Sequence, residues 1–359
     1  MQKDTCEIRS LTGLRGLAAL WVFFFHARNL FAGTTLEEPM KFVASLGGDL
    51  GVDIFFVLSG FVLALNYSTA HESPSAWLGF LRKRLARIYP VHLVGLALAG
   101  LATLIGARYS TSLEGLFYSL TLTHAWSYPI IRTWNTVSWS VSAEWFAYIL
   151  FPAISAATLR IRSPWVILGT IVVLDVALWS LMADGPYSGT MAYGLLRISA
   201  EFPAGVLLHR LWVMNKEPSR HWDMVALCAI LLLIFGAPAA ANHGYKSHFA
   251  AGAALPLAGL IVYGLARGTG RFLAGKWWVH AGHISYALYI IHGILLAIAE
   301  HFALGTRWAL NAVALTFLVC IGLAWLIYEY VEKPGRRLIL EGFKPRRPRE
   351  AQSPIAETP

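Results

Sequence analysis

Apolar runs of roughly 17 to 25 residues, separated by short polar stretches, recur from one end of this chain to the other. By that length criterion they predict membrane helices near 11–31, 48–67, 90–107, 141–158, 164–183, 189–212, 222–240, 247–266, 280–302 and 307–330. The expected fold class is all-α, a polytopic transmembrane helix bundle of about ten spans, because only closed hydrogen-bonded elements cross a bilayer and the runs have helical length. The interval 109–140 does not follow the pattern. Its LEGLFYSLTLTHAW is apolar enough for a short re-entrant segment or an eleventh crossing. From Lys344 onward, KPRRPREAQSPIAETP is polar and Pro-rich, so the expected organisation is one integral membrane domain over 1–343 and a disordered polar tail over 344–359.

Composition supports the membrane class: 57% of the 359 residues are hydrophobic and only 14% charged, with 14 Trp, 14 Tyr and 19 Phe, more apolar surface than a soluble domain of this size can bury. Cys6, Cys228 and Cys320 are scattered, with no paired spacing for a disulfide or a metal, and read as packing residues. No metal-ligand cluster stands out elsewhere. The opening MQKDTCEIRS is short and polar, and the run after it holds Arg15 and lacks a small-residue cleavage site, so it reads as an uncleaved first span.

The net charge of +9 is informative through its distribution. With ten spans, Lys3, Arg9, Arg82, Lys83, Arg84, Arg87, Arg160, Arg162 and the cations from Lys333 to Arg349 fall on the side of the termini. The other side receives Arg28, Lys41, Arg108, Arg132, Lys246 and Arg307. Both termini are therefore expected in the cytoplasm, and the basic excess points to membrane lipids as partner, not to nucleic acid.

Several polar groups interrupt the apolar runs. Arg15 and His26 are eleven positions apart, about 20° past three full helical turns and about 16 Å along the axis, so they share one face at opposite depths. Both side chains snorkelling to opposite headgroup layers is one reading, and a functional cavity is the other. In 47–65, Asp49 and Asp53 lie one turn apart, Gly51, Ser59 and Gly60 suit close helix approach, and Asp53 between Val52 and Ile54 needs a partner. The stretch 75–93 suits an amphipathic interfacial helix ending before Pro90, with Arg84 and Arg87 able either to clamp a phosphate or to meet anionic headgroups.

Further along, Asn135, Ser138, Ser140 and Ser142 lead into Glu144, which either favours a helix N-terminus or partners His26 as an acid/base group. Arg197 and Glu201 form a natural pair four residues apart. His292 is a second in-span histidine, near Ser285, Tyr286 and Tyr289. Glu329 and Glu332 are expected to pair with Arg336 and Arg337 at the interface.

Taken in order, Arg15 and His26, GVDIFFVLSGF at 51–61, Arg84 and Arg87, SWSVSAEW at 138–145, GHISYALYIIH at 282–292 and the closing YEYVEKPGRR resemble the integral membrane acyltransferase family 3 over roughly residues 8–338. Bacterial members of that family O-acylate polysaccharides, lipid-linked sugars and some small molecules. The resemblance implies an acyl-coenzyme A donor, acetyl first, entering from the cytoplasm as co-substrate with no bound cofactor. It implies a hydroxyl acceptor on an exported or lipid-linked carbohydrate, and location in the bacterial inner membrane. It also implies that Arg15 and His26 are essential. In that picture His26 is general base or transient acyl carrier, Glu144 orients it, and Arg84 and Arg87 bind the donor phosphates. Asp53, Ser142, Arg197, Tyr289 and His292 support them. A transporter or exporter of a polar or lipid-linked substrate would use the same in-span groups to line a path, though no internal repeat of the transporter kind is visible.

Overall fold

The computed structural model describes residues 6–40, 50–107, 112–126, 134–182, 194–215, 217–242, 246–269, 271–304 and 306–342. Among them every regular element is helical, with no strand. The helices are α1 (Arg9–Ala27), α2 (Gly51–Asn66), α3 (Pro74–Leu104), α4 (Leu113–Leu120), α5 (Trp139–Leu159), α6 (Pro164–Met182), α7 (Gly194–Met214), α8 (Arg220–Asn242), α9 (Lys246–Arg267), α10 (Lys276–Ala303) and α11 (Ala309–Ile327). A π-helical turn, Tyr328–Glu332, then leads into α12 (Lys333–Glu341).

Six of these are long and apolar enough to cross a membrane: α1 with its 3-10 extension to Phe31, α3, α5, α6, α10, and α11 with its continuation. Shorter apolar helices run over Gly51–Asn66 and Gly252–Arg267. The protein is a membrane-embedded helical bundle. Its outer surface is apolar, as α6 illustrates by turning Trp165, Val172, Val173, Val176 and Trp179 outward.

Small residues decide which helices touch at the backbone. A Cβ on Gly16 of α1 would come within 2.8 Å of the Ala281 side chain and the Gly282 backbone on α10, and one on Gly282 would collide with the Thr12 carbonyl. Gly60 of α2 meets the Phe202 carbonyl of α7 in the same way, and Gly205 of α7 meets the Val57 carbonyl. Without a hydrophobic drive between helices in lipid, such close contact supplies the dispersion energy of association. Pairs α1–α10 and α2–α7 form the spine, with α8 against α9, α5 against α7, and α11 against α10.

Two expectations are corrected, and one open pair of alternatives is narrowed. The amphipathic segment predicted to end before Pro90 continues as one 31-residue helix, α3. A proline removes one helical hydrogen bond, and packing from both sides carries the helix through it: the Tyr286 hydroxyl donates to the Ile88 carbonyl at 2.8 Å, and Gly335 of α12 lies against the Pro90 ring. Within 109–140, α4 has 8 residues, a length of about 12 Å that cannot cross a bilayer. Of the cysteines, Cys320 is buried in packing, whereas Cys6 and Cys228 are exposed. Asp49 and the tail 344–359 lie outside the described residues.

The turn after α4 docks by polar contacts. Ser142 donates to the Leu122 carbonyl at 2.7 Å and accepts from the Ala125 amide at 3.1 Å, while Trp126 donates to the Ser142 carbonyl at 3.0 Å. These bonds hold Leu122 at φ 56, a left-handed conformation that a branched side chain rarely adopts. His124 in this turn lies parallel to His92 of α3 with ring centroids 6.4 Å apart, and both are fully buried. Burial, with His92 beside it, pushes His124 down to about 4.

Gly205→Val should force α2 and α7 apart and abolish monodisperse purification in detergent, whereas Gly79→Ala, where a Cβ meets nothing and helix propensity favours alanine, should hold or slightly raise the melting temperature. The histidine in the turn adds a pH dependence of known sign. Between about 6.5 and about 4 the unfolded chain binds a proton at His124 that the fold does not, so stability falls as pH falls through that window. Thermal melts from pH 7.5 to 4.5 should show a decline that His124→Gln makes shallower.

Candidate active site

Three arginines from two helices converge on one hollow. Arg15 of α1 and Arg84 and Arg87 of α3 all line a cavity of about 120 Å³ between α2, α3, α5 and α10, whose remaining wall includes Phe55, Phe56, Ser59, Glu144, Tyr148, Tyr286 and Tyr289. The same three arginines line an adjoining vestibule of about 370 Å³ that opens at the end of the bundle carrying the chain's first and last described segments. Lys333 and Arg336 add positive charge there, against Glu7 and Glu332.

Each arginine is held differently. Arg84 donates to the Tyr67 hydroxyl at 2.8 Å and lies over the Tyr67 and Tyr148 rings at 4.8 and 5.9 Å. Arg87 forms an ion pair with Glu332 of the π-helical turn and lies 5.8 Å over the Tyr286 ring. Glu332 was expected to pair with Arg336 or Arg337. The π-turn carries it inward instead, while Glu329 takes Lys333 at 2.6 Å. Arg15 faces Glu144 and Tyr148 across the cavity, yet its guanidinium makes no hydrogen bond or ion pair among the described residues. A cation so sited has donors free for an incoming anion.

His26 lies at the far end of α1 and has a partner that sequence reasoning did not assign. Its Nδ1 is 3.3 Å from Nε2 of His292 on α10 and 2.9 Å from the Val22 carbonyl. His292 Nδ1 lies 2.6 Å from the Tyr289 carbonyl. A carbonyl only accepts, so both Nδ1 atoms carry the proton, His26 donates to His292, and the lone pair on His26 Nε2 is left for chemistry. The expected orienting group, Glu144, is not in contact with His26. Its carboxylate accepts from Ser59 at 2.5 Å and meets the Tyr148 hydroxyl, one helical turn on.

Tyr289 links the two ends. Its ring lines the cavity and lies 5.5 Å from the His292 ring, and its hydroxyl donates to the Val137 carbonyl at 3.1 Å and meets Ser140 Oγ at 2.8 Å. Asp53 and Arg197 pair with each other, with Arg197 Nη2 2.6 Å and Nε 3.0 Å from Asp53 Oδ1, while Glu201, the expected partner, is 3.8 Å from Arg197 Nε. This buried cluster ties α2 to α7 and does not line the cavity. Ser142 points to the turn after α4 and takes no part in the hollow.

Sequence reasoning missed Tyr67, Tyr148 and Ser59 as site residues. Tyr148 follows Glu144 by one turn of the same helix, which is the spacing signal that would have found it. The arrangement suits an amphiphilic ligand with an anionic head in the vestibule and a slim neutral arm in the cavity, with a base beyond.

A family model described as an acyltransferase domain matches residues 8–329. Acyltransferase MdmB of Streptomyces mycarofaciens is 28% identical over 94% of this chain and 94% of its own length. Nodulation protein 10 of Rhizobium leguminosarum bv. viciae is 26% identical over 90% and 92%, and the putative membrane-bound transacylase BcsY of Komagataeibacter xylinus 25% over 91% and 82%. No solved structure matches.

The histidine tautomers are directly measurable. Nitrogen-15 solid-state NMR of histidine-labelled protein in lipid at pH 7.5 should find His26 and His292 neutral and protonated on Nδ1. His292→Phe should shift the His26 Nδ1 resonance, and an unmoved resonance would dissolve the pair.

Proposed function

The chain belongs to the acyltransferase-domain family and is a membrane acyltransferase, and on that premise we propose that it moves an acyl group, acetyl first, from cytoplasmic acyl-coenzyme A to a hydroxyl of a cell-surface or exported carbohydrate. The observation that carries this reading is the convergence of Arg15, Arg84 and Arg87 on one cavity and its vestibule, with Arg15 unpaired among the described residues. Charge-assisted bonds from arginine are the strong means of holding phosphate. The nucleotide phosphates of the donor sit in the vestibule and the pantetheine arm runs through the cavity toward His26.

The acceptor hydroxyl meets His26 from the other side. His26 Nε2 takes its proton as the oxygen attacks the thioester carbonyl, the carbon–sulfur bond breaks, and the proton passes to the departing thiolate to give free coenzyme A and the ester. His292 acts as a positioning residue by fixing the His26 tautomer. Glu144, bonded to Ser59 and facing Arg15, keeps the guanidinium oriented across the cavity.

In this reading α1, α2, α3 and α5 to α11 make ten crossings of the inner membrane. The excess of Lys and Arg near the termini supports the same reading, with both ends in the cytoplasm and the vestibule open to the donor pool.

Calorimetry of acetyl-coenzyme A binding to nanodisc-held protein tests the donor site, and thiol release with a pool of candidate glycans tests the chemistry. Arg84→Ala with Arg87→Ala should weaken donor binding at least tenfold, on the scale of about 1.5–3 kcal/mol for a bond to a charged group. His26→Ala should retain donor binding and lose thiol release by about 10²–10⁴-fold. Unchanged donor affinity without the arginines, or undiminished release without His26, would overturn the reading.

A further inference from the structure

His26 and His292 do not line the arginine cavity, and among the side chains that do, Tyr289 is in ring contact with His292, with centroids 5.5 Å apart. The Tyr289 ring from α10 also meets the Phe55 ring from α2 edge to face with centroids 5.8 Å apart, and both face the cavity. The Phe55–Tyr289 contact therefore belongs to the part of the cavity wall that adjoins the histidine pair through Tyr289.

The two rings differ in freedom. Tyr289 is buried, and its hydroxyl is held by the Val137 carbonyl at 3.1 Å and by Ser140 at 2.8 Å. Swinging that ring aside would strand its hydroxyl away from water, which is costly. Phe55 is half-buried and has no polar tether, while its neighbours on α2 are fixed, Phe56 against Trp139 and Asp53 by Arg197. Of the two rings in this wall, Tyr289 is therefore tethered and Phe55 is held by packing alone.

We propose that Phe55, packed against the fixed Tyr289 ring, is the size filter for the acyl group, admitting acetyl and rejecting longer chains. The inference rests on the donor reading above and adds the residue that decides the donor's class. In an apolar pocket one methylene changes discrimination by about 10–200-fold, so a single aromatic ring in the cavity wall has ample leverage over chain length. Removing the ring opens the space beside Tyr289 while leaving Arg15, Arg84 and Arg87 in place.

The test is calorimetric binding of free coenzyme A and of acetyl-, butyryl- and hexanoyl-coenzyme A to nanodisc-held wild type, Phe55→Ala and Phe55→Leu. The wild type should bind acetyl-coenzyme A at least tenfold more tightly than hexanoyl-coenzyme A. Phe55→Ala should bring that ratio near one, with Phe55→Leu between, and free coenzyme A should bind all three proteins alike, which also certifies that the variants are folded. Equal chain-length preference in wild type and Phe55→Ala, with coenzyme A still bound, would overturn the filter and leave the donor reading intact. Absence of binding by coenzyme A and every thioester to the wild type would overturn the donor reading itself, and the filter with it.

Discussion

Backbone contact between α1 and α10 is the constraint from which the site follows. Gly16 and Gly282 let the two helices approach until no Cβ fits between them. At that distance the register of one helix on the other is fixed, and the face of α1 that carries Arg15 and His26 lies along the face of α10 that carries Tyr286, Tyr289 and His292. His26 then meets His292, and Arg15 faces the cavity that Tyr286 and Tyr289 help wall. The second glycine contact, α2 on α7, sets the opposite wall, because Phe55, Phe56 and Ser59 all project from a helix held by Gly60 and Gly205.

Two buried or half-buried arginines among the described residues have carboxylate partners. Arg197 sits on Asp53 with Glu201 close by, and Arg87 sits on Glu332. An ion taken out of water needs such a partner to offset its desolvation, and the pairs here tie together helices far apart in sequence. Arg15 differs from both: it faces Glu144 without bonding to it, at the junction of cavity and vestibule. An intramembrane cation left without a bonded partner among the described residues has donors available to an anion. The proposed donor site is built on that contrast.

The histidines occupy the other depth, about 16 Å along α1 from Arg15. In the proposed function, charge recognition and base chemistry would thus lie three helical turns apart, a separation that suits a ligand whose anionic head and reactive end are joined by a long arm. The tautomer of His26 is set by two acceptors, the Val22 carbonyl and His292 Nε2, so its reactive nitrogen is defined without a carboxylate. Glu144, the carboxylate that sequence order suggested for that role, serves the arginine end together with Ser59 and Tyr148.

The helical class, the membrane setting and the shared face of Arg15 and His26 were legible in the sequence, because run length and helical period are local properties that neighbouring residues impose on one another. The acyltransferase resemblance was legible for the same reason, since its motifs are short and contiguous. Partner choice was not. Arg197 does pair with Glu201 four residues on, at 3.8 Å as its spacing suggested, but its shorter bonds go to Asp53, 144 residues away, because the α2–α7 contact brings that carboxylate nearer. Pro90 signalled a helix end and the packing of α10 and α12 overrode it. Which groups meet across helices is fixed by the glycine contacts and side-chain packing of the assembled bundle, and that information exists only when all the helices are present at once.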